Sequence, residues 1–141
     1  MAKIPVQKIL PVLFVAETAF LLYMSFQPSY AVHTFRIPFL REGDMEHFVA
    51  YALYGILSSG TISVFSGRNK VVAPLWCGIF AGMTEFIQSF VPTRFSDPMD
   101  WVVDFTGSGI GIILFEGVLK KQLTSSLSAN KTQSEPLKRK P

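Results

Sequence analysis

The chain alternates long apolar segments with shorter polar ones. The apolar segments cover about residues 9–26, 47–65, 71–91 and 101–119. A helix needs roughly 20 mostly apolar residues to cross the hydrocarbon core of a bilayer, and each segment meets or approaches that length. Gly43, Pro92 and Pro98 stand as helix breakers in the polar segments. The pattern predicts an all-α integral membrane bundle of four transmembrane helices, with consecutive helices antiparallel.

The first apolar segment has a second interpretation, as a cleaved signal peptide. Ser29, Tyr30 and Ala31 resemble a small-residue cleavage site. The apolar run, however, exceeds the roughly 7 to 15 residues of a usual signal core, and Glu17 interrupts it. We therefore favour a retained transmembrane helix.

Composition leaves little of the chain outside the membrane. Of 141 residues, 49% are hydrophobic and 16% are charged, and the mean hydropathy is +0.34. Four spans of about 20 residues leave no room for a separate soluble catalytic domain, so residues 1–119 are predicted to form one transmembrane domain. The single cysteine, Cys77, excludes a disulfide framework and a thiolate metal cluster.

Residues 120–141 differ in character from the four spans. They contain six Lys or Arg residues, one Glu and no aromatic residue. Such a segment cannot bury enough apolar surface to order itself, so it is predicted to be a disordered basic tail that lies against anionic lipid. We do not expect it to bind nucleic acid.

The distribution of Lys and Arg predicts the orientation of the bundle. Ten of the thirteen lie before the first span, between the second and third, or in the tail, whereas Arg36, Arg41 and Arg94 lie on the opposite side. Because positive charge accumulates in cytoplasmic segments, both termini are predicted to be cytoplasmic. The polar segments that contain these three arginines then face outward.

Ionisable and amide side chains recur at helical spacing near the outward ends of the spans. His47 and Tyr51 follow Asp44 at i+3 and i+7, and Gln88 follows Glu85 at i+3. Charged groups are costly inside a bilayer, so they face the bundle interior and mark functional sites. The predicted outward-facing pocket consists of Asp44, His47, Tyr51, Glu85, Gln88, Arg94, Asp100 and Asp104.

Glu85 is the central residue of this predicted pocket. It lies six residues, or about 9 Å along a helix, before the end of the third segment at Val91. A short side chain at that depth cannot reach bulk water alone. We therefore expect Arg94, Asp100 and Asp104 to close over it.

Two pairs of small residues predict close packing between helices. Gly78 with Gly82, and Gly107 with Gly111, are spaced four residues apart and so share a helix face. Such pairs are typical of helices whose backbones approach closely in membranes. At the start of the fourth span, Asp100 or its neighbour is predicted to cap the helix.

Several motifs follow one another within residues 44–111. They are Asp44-x-x-His47-Phe48-x-x-Tyr51, Glu85-x-x-Gln88, Arg94-Phe95-Ser96, Asp100 and Gly107-x-x-x-Gly111. Together they resemble the VanZ-like family. The resemblance implies a small multi-pass protein of the bacterial inner or plasma membrane with an envelope role linked to teicoplanin resistance. The family usually has Asn at the position of Asp104, so this chain carries an ionisable carboxyl in place of an amide.

Three functions remain open for the pocket. It could bind the polar head group of an envelope lipid or precursor in an accessory role, through Arg94, Gln88 and the carboxylates. It could perform acid–base or metal chemistry with its His, Asp and Glu residues, although no HExxH, GxSxG or comparable motif is present. It could only lock helices together, as a structural subunit or scaffold of a membrane complex. We predict no cofactor, assign no metal site and expect the lipid bilayer itself as the main partner.

Overall fold

The computed structural model of the chain describes residues 6–29, 43–66, 69–94, 97–121 and 125. Within these residues the protein is all-helical, as predicted, and four helices are long and apolar enough to cross a membrane. Arg36, Arg41 and most of the predicted basic tail lie outside the described residues. The helices are α1 (Val6–Ser25), α2 (Asp44–Phe65), α3 (Asn69–Gln88) and α4 (Pro98–Leu114), and α4 continues as a π-helical turn (Phe115–Leu119).

The start of α2 and the start of α4 both lie three residues before the predicted spans. α2 begins at Asp44, directly after Gly43, whose φ of 93° is easily adopted only by a residue without a Cβ atom. α4 begins at Pro98, where the missing amide proton costs no helical hydrogen bond. Its cap is Asp97, whose carboxylate accepts a hydrogen bond from the Met99 amide at 2.9 Å. The prediction that Asp100 or its neighbour caps this helix is therefore wrong, since the cap lies three residues before Asp100.

Two helix ends also differ from prediction. α3 ends at Gln88 rather than Val91, because the backbone tightens into turns before Pro92, which disfavours helical geometry at the preceding residue. The amide of Val91, for example, donates to the Gln88 carbonyl at 3.0 Å. At the other end of the bundle, Lys120 and Lys121 are still helical, although the tail was predicted to begin at Lys120.

The parallel helices α2 and α4 are held in backbone contact by glycines. A Cβ atom at Gly107 would lie 2.5 Å from the Phe48 carbonyl oxygen, and one at Gly111 would overlap the Ala52 carbonyl. From the α2 side, a Cβ at Gly55 would overlap the Ser108 carbonyl. The close approach predicted from Gly107 and Gly111 is thus confirmed.

The second glycine pair has a different role. A Cβ at Gly78 would lie 3.2 Å from the Phe105 ring, and one at Gly82 would lie 3.5 Å from the Trp101 indole nitrogen. The stacked rings of Trp101 and Phe105 occupy the space above these glycines, and the Trp101 indole donates to the Gly78 carbonyl at 3.2 Å. Gly78 and Gly82 therefore accommodate aromatic side chains of α4 rather than a neighbouring backbone.

An aromatic core lies between α1, α2 and α3. Tyr54 is fully buried, its ring stacks on Phe80 with centroids 4.5 Å apart, and its hydroxyl accepts a hydrogen bond from the Trp76 indole at 2.8 Å. Phe14 of α1 packs on the same tyrosine ring. Because the polar atom of Tyr54 is paired, the ring can be buried at little cost. This core supports the polar site, which lies one to two turns before Tyr54 on α2 and one to two turns after Phe80 on α3.

Candidate functional site

A cavity of about 240 Å³ opens at the end of the bundle where α1 and α3 end and α2 and α4 begin. We refer to this end as the Arg94 end. Four of the eight residues predicted for the pocket line it: His47, Tyr51, Gln88 and Arg94. Its remaining lining consists of Phe20, Leu21, Met24, Ser25, Glu46 and Ala50.

A buried hydrogen bond connects the cavity wall to α4. The Nδ1 atom of His47 lies 2.9 Å from Oδ1 of Asp104, whose side chain is only 1% exposed, whereas the His47 side chain is 20% exposed. With Nδ1 engaged by the carboxylate, Nε2 is the ring atom left for a ligand in the cavity. Asp104 therefore lies behind the cavity and orients the imidazole that lines it.

Tyr51 joins this pair to α3. Its hydroxyl forms a hydrogen bond with the Thr84 hydroxyl and lies within interaction range of Asp104. The Thr84 hydroxyl can donate to the Ala81 carbonyl at 2.9 Å, which leaves its oxygen free to accept from Tyr51. Side chains of three helices thus meet in one buried polar network, and two of its members line the cavity.

Glu85 lies closer to the end of its helix than predicted. α3 ends at Gln88, so Glu85 is three residues from the helix end rather than six. Its Oε1 atom accepts a hydrogen bond from the Asp97 amide at 2.6 Å, while Oε2 is buried without a hydrogen-bond partner among the described residues. Arg94, Asp100 and Asp104 were expected to close over Glu85, and the hydrogen bond that its carboxylate accepts comes from the loop backbone at Asp97. Glu85 fastens the α3–α4 loop to α3.

Arg94 reaches across that loop to α1. Its Nη1 atom donates to the Met24 carbonyl at 3.3 Å, and its charge lies within electrostatic range of His47. Two further bonds hold the same junction: the Ser29 amide donates to the Thr93 hydroxyl at 3.1 Å, and the Ser29 hydroxyl donates to the Thr93 carbonyl at 2.9 Å. The loop that carries Thr93 and Arg94 is therefore held to the end of α1.

The structure brings most of the predicted pocket residues together, but in two groups. His47, Tyr51, Gln88 and Arg94 line the cavity, whereas Asp104 lies behind it. Glu85 and Asp100 lie within electrostatic range of Asp104 but do not line the cavity. Asp44 is the first residue of α2, one turn before His47, and is also absent from the lining.

The wall from α1 and the Thr84 hydroxyl are site features that the sequence interpretation missed. Phe20 and Met24 are four residues apart on α1, and Thr84 and Gln88 are four residues apart on α3. The spacing places each pair on one helix face. That periodicity was visible in the sequence, but it did not indicate which neighbouring helix the face would meet.

A second polar contact lies at the opposite end of the bundle. Lys120 Nζ lies 3.0 Å from Glu116 Oε2, four residues before it, and the Ser59 hydroxyl donates to the other Glu116 oxygen at 3.4 Å. This pair lies on and just beyond the π-helical turn of α4. The Ser59 bond joins α2 to this end of α4, at the opposite end of the bundle from the cavity. In the part of the chain that the structure describes, no group of three His, Cys, Asp or Glu residues is arranged to hold a metal ion.

Glu85→Leu is expected to destabilise the protein, whereas Glu85→Gln is expected to leave the fold intact. The glutamine carbonyl can replace Oε1 as the acceptor for the Asp97 amide, but leucine leaves that amide without its partner. The loss is about 1–2 kcal/mol for an interhelical hydrogen bond of this kind. Thermal unfolding of both variants in detergent measures it, and equal melting temperatures for Gln and Leu would show that the contact contributes nothing.

Comparisons of the chain with family models, with curated proteins and with solved structures found no match. The residues of the site are therefore the basis for assigning a function.

Proposed function

We propose that this chain is a VanZ-like protein of the bacterial inner or plasma membrane whose cavity opens outward and binds the polar head group of an envelope lipid or precursor. In this proposal both termini are cytoplasmic, and the protein has an accessory role connected with glycopeptide resistance. The observation that carries it is the lining of the cavity at the Arg94 end. Polar groups of His47, Gln88 and Arg94 share that lining with apolar side chains of α1.

The distribution of polarity in the lining favours an amphiphile over a small polar solute. Phe20, Leu21 and Met24 form an apolar wall on α1, and Phe20 is 52% exposed on the surface that would face lipid. Ligand pockets commonly combine such an apolar wall with a few polar groups that fix orientation. A molecule with a polar head and an apolar tail can contact both the polar and the apolar residues of the lining.

A purely structural role for the polar residues is less consistent with this arrangement. Residues that only lock helices together are expected to pair with each other and leave no space. Asp104 and Thr84 behave in that way, but Tyr51, Gln88 and Arg94 border a cavity. Locking therefore accounts for the network behind the cavity and not for the cavity.

A deletion strain tested against glycopeptides and other envelope stresses examines the proposal. We expect complementation by the wild-type chain and by Glu116→Gln, which removes a carboxylate at the opposite end of the bundle. Arg94→Gln should fail to complement while its expression and melting temperature stay near those of the wild type. Equal complementation by all three chains would favour the scaffold function.

The His47–Asp104 pair specifically favours a second candidate function, general acid–base catalysis on a bound molecule. An imidazole that lines a cavity and has one nitrogen bonded to a buried carboxylate can accept and return a proton through its other nitrogen. Mass spectrometry of a lipid recovered after incubation with the purified protein tests it. Conversion by the wild type and not by His47→Gln supports catalysis, whereas an unchanged lipid contradicts it.

A further inference from the structure

The cavity at the Arg94 end has the charge and shape of a site for one class of head group. Arg94 and His47 both line it and lie within electrostatic range of each other. Arg94 presents a planar guanidinium with five donors, a geometry that matches two oxygens of a phosphate. The doubly protonated ring of His47 can donate through Nε2, because Asp104 accepts from Nδ1. Two nitrogen-bearing groups thus converge on one space.

The present contact of Arg94 is one that a ligand can replace. Its hydrogen bond to the Met24 carbonyl is long, at 3.3 Å, and that carbonyl also accepts the Gln27 amide at 3.2 Å. If Arg94 turned to a ligand, the carbonyl would keep a partner. A guanidinium can form two parallel charge-assisted hydrogen bonds to a phosphate, in place of one long bond to a carbonyl. The exchange would therefore favour the ligand.

Glu46 restricts the charge that the site accepts. It lines the same cavity as Arg94 and His47 and carries a carboxyl group. Repulsion from a carboxylate grows with the charge of the ligand, so it disfavours a phosphate monoester, with two negative charges, more than a phosphodiester, with one. If the head group also bears a hydroxyl or an ammonium group, that group would be placed toward Glu46. The balance of charges therefore favours a diester.

The size and apolar wall of the cavity favour a lipid as the source of that phosphodiester. A volume of about 240 Å³ lies just below the roughly 300–1,000 Å³ of pockets that enclose drug-sized molecules, so a whole two-chain lipid does not fit. A head group and the first methylenes do. Beyond them, Phe20 and Leu21 continue the apolar wall along α1.

We propose that the cavity binds the phosphodiester head group of a membrane lipid, with the phosphate on Arg94 and His47 and the chains along the Phe20 side of α1. This inference rests on the proposed head-group site and specifies its ligand class. Arg94 leaves the Met24 carbonyl when the phosphate is bound.

Binding to the full chain purified in detergent tests this proposal, with native mass spectrometry and thermal unfolding as the two measurements. The probes are dioctanoyl phosphatidylglycerol, dioctanoylglycerol without the phosphate, and glycerophosphoglycerol without the chains. We expect one bound phosphatidylglycerol and a raised melting temperature, with neither effect from the other two probes. Equal binding of glycerophosphoglycerol would overturn the lipid assignment, and equal binding of dioctanoylglycerol would overturn the phosphate assignment.

Three variants locate the binding. Arg94→Gln should weaken it by roughly tenfold or more, since a hydrogen bond to a charged group is lost. Ala50→Leu should block it by filling the cavity without a change of charge. Lys121→Gln, which removes an exposed cation at the opposite end, should bind as the wild type does. If Arg94→Gln fails to fold, Ala50→Leu still decides the location, and unchanged binding by Ala50→Leu would overturn the proposal.

Binding of a glycosyl diacylglycerol, which has no phosphate, distinguishes the phosphodiester proposal from the proposal that the cavity binds the head group of an envelope lipid. If that lipid binds the wild type and not Ala50→Leu, while phosphatidylglycerol does not bind, the phosphodiester assignment is wrong and the head-group site stands. If neither lipid binds, both are wrong.

Discussion

Gly111→Ala is expected to destabilise the bundle strongly, whereas Gly109→Ala on the same helix is expected to leave it as stable as the wild type or slightly more so. A Cβ at Gly111 would overlap the Ala52 carbonyl and lie 3.0 Å from the Ile56 amide nitrogen. Backbone atoms cannot rotate away as a flexible side chain can, so α2 and α4 must separate. Overpacking of this kind costs about 1–3 kcal/mol, and more where the contact cannot relax.

Gly109 provides the matched control, because a Cβ there would meet nothing within 4 Å. Alanine is favoured over glycine inside a helix by about 1 kcal/mol, so any effect at this position should be stabilising. Thermal unfolding of both variants in detergent, followed by circular dichroism, gives the comparison. Equal melting temperatures would show that α2 and α4 do not depend on the Gly111 contact.

Asp104→Leu is expected to have the second large effect. Asp104 is 1% exposed and accepts the hydrogen bond from His47, so leucine leaves a partly buried imidazole nitrogen without its partner. An unsatisfied buried donor costs about 1–3 kcal/mol. Asp104→Asn should be tolerated, because its amide oxygen can still accept the bond from Nδ1.

A double variant separates the pair from the rest of the network. His47→Phe combined with Asp104→Leu removes both polar partners, and replacement of both by apolar groups is often nearly neutral. We therefore expect the double variant to unfold at a higher temperature than Asp104→Leu alone. If the destabilisations caused by His47→Phe and Asp104→Leu simply add in the double variant, the two side chains do not interact. Asp104 then does not orient the imidazole that lines the cavity.

The sequence predicted the helices better than it predicted their ends. Apolar length alone identified four spans, because a bilayer requires it. The ends of α3 and α4 depend instead on local chemistry at a few residues: Pro92 unwinds the end of α3, and Asp97 with Pro98 starts α4 early. Because α3 ends three residues earlier than predicted, Glu85 lies one turn from the helix end rather than deep in the helix.

The candidate site shows a similar division. Helical spacing placed His47 with Tyr51, and Glu85 with Gln88, on common faces. It could not show that His47 would meet Asp104, since that contact depends on how closely α2 and α4 approach. The glycines that permit the approach were recognised, but spacing does not say which helix they face. The contribution of α1 was missed for the same reason.

Accessibility of residue 50 from outside the cell tests the central claim, an outward-open polar cavity, most directly. Ala50 lines the cavity, whereas the adjacent Val49 is 57% exposed on the surface that would face lipid. The two positions share nearly the same depth. A thiolate, which requires water, is the form that reacts with methanethiosulfonates, so the two positions should differ.

The measurement is labelling of intact cells by a small impermeant methanethiosulfonate, with each cysteine introduced into a Cys77→Ala chain. Ser89→Cys and Ser66→Cys, at exposed positions at opposite ends of the bundle, serve as the outer and inner controls. We predict that cysteines at Ala50 and Ser89 react, and that those at Val49 and Ser66 do not. Labelling of Ala50→Cys that is no faster than that of Val49→Cys, or that occurs only from the cytoplasmic side with Ser66→Cys, would contradict an outward-open cavity.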